Sequence, residues 1–178
     1  MQLKALDIIV CLEIARDSGV RRSYAELGQA VGLSASEANR AVQRACRAGL
    51  LSPGETRAEK PRANAHALLE FLEHGLRYAF FAVPGRITRG MPTAHSAPPL
   101  NRQLGEGADP PFVWPDAEGE ARGQAIEPLY PSVPSVARRN PELYQMLALA
   151  DALRCGGARE RKLAMSELSA RILRVGHG

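Results

Sequence analysis

The chain has 178 residues, 45% of them apolar, with 23 basic and 19 acidic side chains and a formal charge of +4. This length and apolar content suffice for one large domain or two small ones with a real core, and the surplus of charge is too mild for a polybasic tail. The excess lies at the two ends: residues 1–63 carry ten Lys or Arg against seven Asp or Glu, residues 64–140 seven against eight, and residues 141–178 six against four.

Gln2 to Asp17 has the apolar spacing of an amphipathic helix, with Leu3, Leu6, Ile9 or Val10, and Ile14 toward a core and Lys4, Asp7, Glu13 and Arg16 expected in solvent. Asp7 and Glu13 interrupt its apolar centre, so it reads as neither a signal peptide nor a membrane span. Ser18-Gly19-Val20 stops it. Arg21 and Arg22 follow, beside the next helix start, where they suit either backbone phosphates or an ordinary solvated turn.

Ser23 with Glu26, and Ser34 with Glu37, form two Ser-x-x-Glu capping boxes in close succession. The first helix is expected to stop at about Val31, with Gly32 supplying a left-handed residue, and the second to run from about Ala35 to Ala48 before Gly49. Ala38, Ala41, Val42 and Ala45 make a small-residue core stripe on that second helix. Ser36, Asn39, Arg40, Gln43, Arg44 and Arg47 then face outward, with Ser34 at the cap. Donors and acceptors near the N-terminal end suit base edges, and cations farther along suit phosphates.

The run Leu27-x3-Val31-Gly32-Leu33-Ser34, followed by Asn39-Arg40-Ala41-Val42 and by Ala48-Gly49-Leu50-Leu51, resembles the winged helix-turn-helix of MarR-like transcriptional regulators. The resemblance covers roughly residues 1–63. It implies that the helix after Ser34 is the recognition helix, and that a wing follows whose Arg57, Lys60 and Arg62 would reach the minor groove. The segment Ser52 to Asn64 departs from the family pattern by lacking β-branched strand residues, which shortens the expected wing. Such a domain also serves protein contact or dimerisation, since a fold does not fix a function.

Asn64 caps the next helix, expected over residues 65–80, whose Leu68, Leu69, Phe71, Leu72, Leu76 and Phe80 form a wide apolar surface for another layer or another subunit. His66, Glu70 and His74 recur every four residues, but the two histidines are about 12 Å apart along a helix axis, so the stripe reads as solvated and no metal is expected. Residues 83–139 are rich in proline and glycine and read as an extended segment, too long for an ordinary loop. Within it, Arg86–Gly90, Phe112–Trp114 and Ala125–Tyr130 are candidate short strands, Phe112 and Trp114 are expected anchors, and the later prolines suggest a polyproline-like strap. Asn140-Pro141 opens a helical hairpin over residues 141–174, with Arg154, Arg159, Arg161 and Lys162 crowding its bend where phosphate, an acidic partner or water would meet them.

Cys11, Cys46 and Cys155 lack metal-site spacing and read as reduced core thiols. His95 is the best catalytic candidate because it lies in the long loop, but no acid or nucleophile is paired with it in the sequence, and the chain reads as a non-enzyme without cofactor. The expected protein is mostly α with minor β. It has a winged helix-turn-helix at residues 1–63 and a region at residues 64–178 for dimerisation or partner binding. Its expected role is that of a cytoplasmic, homodimeric, sequence-specific regulator of double-stranded DNA, a repressor. The alternative is an antitoxin or adaptor that masks a partner protein.

Overall fold

The computed structural model describes residues 2–17, 20, 22–54, 60–105, 107 and 110–174, so Arg21, Arg57 and His177 lie outside the described residues. The chain is mostly α with small β elements. Helix α1 spans Ala5–Arg16 and is buried through Ile8, Ile9, Val10, Cys11, Leu12 and Ala15. Of the residues expected in solvent, Lys4 is exposed and Arg16 half-buried, but Asp7 is 0% and Glu13 1% exposed. The reason is tertiary, because α3 (Ala35–Arg47) and α8 (Pro141–Cys155) both pack on α1.

Between them, α2 spans Tyr24–Val31. Ser23 Oγ accepts the Glu26 N–H and Glu26 accepts the Ser23 N–H, and Ser34 and Glu37 repeat the exchange at the start of α3. Both caps are closed within four residues of chain, which explains why the two helix starts agree with expectation. Gly32 stands at φ 71°, and a Cβ on it would lie 2.5 Å from the Ser132 Cβ. The turn therefore needs glycine for its backbone and again for its packing.

Strand β1 (Leu51–Ser52) pairs antiparallel with β2 (Arg62–Ala63), Leu51 opposite Ala63 and Ser52 opposite Arg62. The single helix expected over residues 65–80 is two: α4, Ala65–His74, and α5, Leu76–Ala79. The Phe71 ring packs onto Gly75 at the break, where a Cβ would lie 2.7 Å from it. Leu68, Leu69, Leu72 and Leu76 are buried within the chain, as α4 packs on α8 and on α9 (Ala158–Arg174).

The expected extended segment contains most of the sheet. β3 (Ile87–Thr93) runs antiparallel to both β4 (Phe112–Pro115) and β5 (Ala121–Ala125), and β4 and β5 are parallel, so the three strands close on themselves. Gly90 is paired with Pro115 on one side and Ala121 on the other, and a Cβ there would lie 2.0 Å from the Trp114 carbonyl oxygen. A 3₁₀ turn, Ala94–Ser96, and α6, Leu100–Leu104, fill the link between β3 and β4. The expected strand at residues 125–130 lies earlier, as β5, and the expected polyproline strap ends in a helix, α7, Val133–Arg139. Pro134 stands in the first turn of α7, where a helix demands no N–H donor.

One core runs from Ile8 on α1 to Ile172 on α9, without a break at residues 63 and 64. A third buried acid, on α8, ties strands β3 and β4 to that helix. Asp151 on α8, 1% exposed, accepts from Thr93 Oγ1 (2.8 Å), Trp114 Nε1 (2.6 Å) and Arg154 Nη1 (2.6 Å). Arg154, expected at the open bend of the hairpin, is buried and also donates to the carbonyls of Phe80 (2.7 Å) and Glu127 (3.0 Å). It is therefore unavailable to phosphate. Trp114 is the anchor the sequence suggested, held by its ring N–H as well as by its area. Among the described residues no helix is long and apolar enough to cross a membrane.

Replacing Asp151 by alanine leaves a buried guanidinium without its carboxylate, and the expected loss of stability is about 3–5 kcal/mol in urea unfolding. A loss no larger than that of an exposed pair, about 1 kcal/mol or less, would contradict this role.

Candidate nucleic-acid interface

Helix α3 exposes one stripe. Ser36, Arg40, Gln43 and Arg47 are exposed, as is the cap Ser34, while Ala38, Ala41, Val42 and Ala45 are buried beneath them. Asn39 is half-buried at the edge, and its Oδ1 accepts from Gln43 Nε2 at 3.3 Å. Arg40 Nε lies 3.4 Å from the Ser36 carbonyl, a weak contact one turn back that leaves the guanidinium at the surface. The stripe thus presents a hydroxyl, an amide and two guanidinium groups along a continuous face, the chemistry that reads base edges and phosphates.

Two residues expected to grip the DNA backbone are instead ion-paired within the chain. Arg44 forms a two-pronged ion pair with Asp7, Nε to Oδ2 at 2.8 Å and Nη2 to Oδ1 at 2.6 Å, and its side chain is 9% exposed. Arg22 is paired with Glu13 and Asp17, and Glu13 also accepts from Arg16 at 2.8 Å. The cause is the burial of α1: taking a carboxylate out of water is costly unless a cation and hydrogen-bond donors meet it, and Arg44 and Arg22 supply them. Nothing in the local spacing of Arg44 distinguishes it from Arg40 or Arg47. The available signal was two acids set within the apolar run of α1.

Two further described cations lie beside the short ladder. Arg62 is exposed on β2, and Lys60 is exposed with its ammonium 5.8 Å from the centre of the Tyr24 ring. These bring positive charge to the end of α2, but the helix N-termini themselves are occupied. Backbone and hydroxyl hydrogen bonds from Ser23 hold the Glu26 carboxyl below its ordinary value, and Ser34 does the same for Glu37. Both dipole ends are thus already met by a carboxylate, so neither helix N-terminus stands open to an added anion.

The turn between α2 and α3 is braced from far along the chain. Ser132 Oγ donates to the Val31 carbonyl at 3.0 Å, and α7 packs on α2. Sequence reasoning did not find this brace, because no local pattern links residue 132 to residue 31.

The other candidate chemistry does not assemble. Both ring nitrogens of His95 are buried without a hydrogen-bond partner among the described residues, and the ring stands edge-on to Phe112 at 4.6 Å. Desolvation pushes the Cys155 thiol up to about 12 and raises Cys11 and Cys46, so none of the three is poised as a thiolate. Among the described residues no group of three His, Cys, Asp or Glu converges on a point.

The lowered carboxyls of Glu26 and Glu37 contribute capping that is fully present above their unfolded value and is lost as pH falls through the lower folded value. Titration followed by carboxyl carbon resonances is expected to give midpoints for both below the ordinary 4.5. A midpoint at or above it would show that the caps do not form.

No protein-family model, no curated protein and no solved structure matches this chain.

Proposed function

We propose that the chain is a cytoplasmic, sequence-specific double-stranded DNA-binding regulator, a MarR-like winged helix-turn-helix protein that acts as a homodimer. The observation that carries this reading is the exposed stripe Ser36, Arg40, Gln43 and Arg47 on α3, set on a capped helix-turn-helix and followed by a strand ladder bearing Arg62. The element order α1, α2, α3, β1, β2 supports it, being the order in which a winged domain sets two helices behind the one that reads and a hairpin beside it. Ser36, Asn39, Arg40 and Gln43 address base edges, and Arg47, Lys60 and Arg62 address phosphates. Arg44 and Arg22 are removed from that set by their buried partners.

A single short helix reads only a few base pairs, so two copies on half-sites about 34 Å apart are needed for a specific operator. The apolar face of α4 is inside the chain and does not supply the contact between copies. Occupying an operator blocks transcription with no further chemistry, which makes repression the simplest output.

Genomic fragments retained by the purified protein at two salt concentrations test this reading. Specific retention of a promoter, weakened by salt, is expected, with Arg40→Ala costing about 1–3 kcal/mol at one base position. Uniform weak binding to every fragment, or none, would overturn it. Arg44→Ala separates structure from contact: it is expected to lower stability by about 3 kcal/mol while leaving the salt slope unchanged, whereas Arg62→Ala lowers that slope by about 1. A reduced slope at unchanged stability for Arg44→Ala would restore it to the phosphate-contact set.

A further inference from the structure

Five large apolar side chains are exposed among the described residues, and four of them fall in one stretch: Tyr78 (74%), Phe81 (71%), Val83 (72%) and Ile87 (54%). The stretch is not loose. Arg154 holds the Phe80 carbonyl at 2.7 Å, and the Gly85 N–H donates to the Ala125 carbonyl at 2.8 Å. Large apolar groups kept rigid at the surface are unusual outside interaction sites, and rigidity lowers the cost of binding.

Tyr78 also borders an open hollow of about 420 Å³ between α4–α5 and the bend joining α8 to α9. Leu153 and Met165 line it with the cations Arg77, Arg161 and Lys162, against the single carboxylate Glu73. Arg86 and Arg89 are exposed farther along the apolar stretch. The surface therefore combines apolar anchoring points with a net positive rim.

Charge complementarity selects the occupant. A second copy in two-fold contact would set these cations against themselves. Nucleic acid would use the cations and stack on Tyr78 and Phe81, but Val83 and Ile87 have no flat face to offer a base. We propose that the surface formed by Tyr78–Ile87 and the α8–α9 bend docks an acidic segment of a different protein that carries large apolar side chains. Its apolar groups cover Tyr78, Phe81 and Val83 while its carboxylates meet Arg77, Arg161 and Lys162. This surface is separate from the exposed stripe of α3, and the inference does not rest on DNA binding.

The test uses the full chain and fluorescein-labelled synthetic peptides in which Glu alternates with Leu and Phe. One control peptide replaces Glu by Lys, and another replaces Leu and Phe by Ser. Binding of the first peptide by anisotropy is expected, with each control weaker by about tenfold or more. Two separate variants, Phe81→Ser/Val83→Ser and Arg77→Glu/Lys162→Glu, are each expected to lose about tenfold as well. Arg161 is left in place because it donates to the Gly156 carbonyl at 2.8 Å and so holds the end of α8. Phe81, Val83 and Lys162 are exposed and Arg77 is half-buried against the Tyr78 ring, 5.3 Å from its centre; both variants are expected to keep the parent melting temperature, and if one fails to fold the other still decides. Absence of binding, or binding unchanged by charge reversal, would overturn the proposal. Preferential binding of a single-stranded oligonucleotide, or self-association abolished by Phe81→Ser/Val83→Ser, would assign the surface to nucleic acid or to a second copy and overturn it equally.

Discussion

The ion pair between Asp7 and Arg44 sets the orientation of the face that the proposed function needs. Asp7 has no exposure and sits on a helix enclosed by other helices, so its charge must be met from inside the fold. Arg44 meets it with both prongs of its guanidinium. Pinning position 44 inward fixes the rotation of α3 about its own axis. Positions 36, 40, 43 and 47 then lie outward together, each about one turn after the last. A basic residue that looks like part of a DNA grip is thus a post that holds α3 to α1 beneath the proposed reading face.

The same device recurs on the far side of the core. Asp151 collects donors from β3, β4 and its own helix, and Arg154 extends the network to the carbonyls of Phe80 and Glu127. Buried charges of this kind stabilise little in net terms against a well-packed apolar core, but breaking one half of a pair is costly. Their effect is to demand one arrangement of the surrounding elements. Here that arrangement brings the segment after α5, the small closed sheet and α8 together, and holds the apolar stretch from Tyr78 to Ile87 at the surface.

What was legible in the sequence was local. Both capping boxes, the stop at Gly32, the start at Asn140-Pro141 and the hairpin of α8 and α9 depend on residues within a turn or two of one another, and all appear as expected. Illegible features depend on distant neighbours. The charges of Asp7 and Glu13 suggested solvent, because nothing near them announces that α3 and α8 will enclose α1. Proline and glycine in residues 83–139 suggested an extended segment, yet Gly90 is what lets three strands meet and Pro134 is tolerated in the first turn of α7. Of the candidate site, the α3 stripe was readable from its period, whereas the fates of Arg44 and Arg22 were not.

Amide chemical-shift mapping of the whole chain with a duplex carrying a selected operator tests the assignment of the two faces most directly. Perturbations concentrated at Ser36, Arg40, Gln43 and Arg47 on α3 and at Arg62 on β2, with Tyr78 to Ile87 silent, are the expected result. Perturbations gathered at Tyr78 to Ile87 and the α8–α9 bend, with α3 unmoved, would contradict the reading of α3 as the helix that meets DNA.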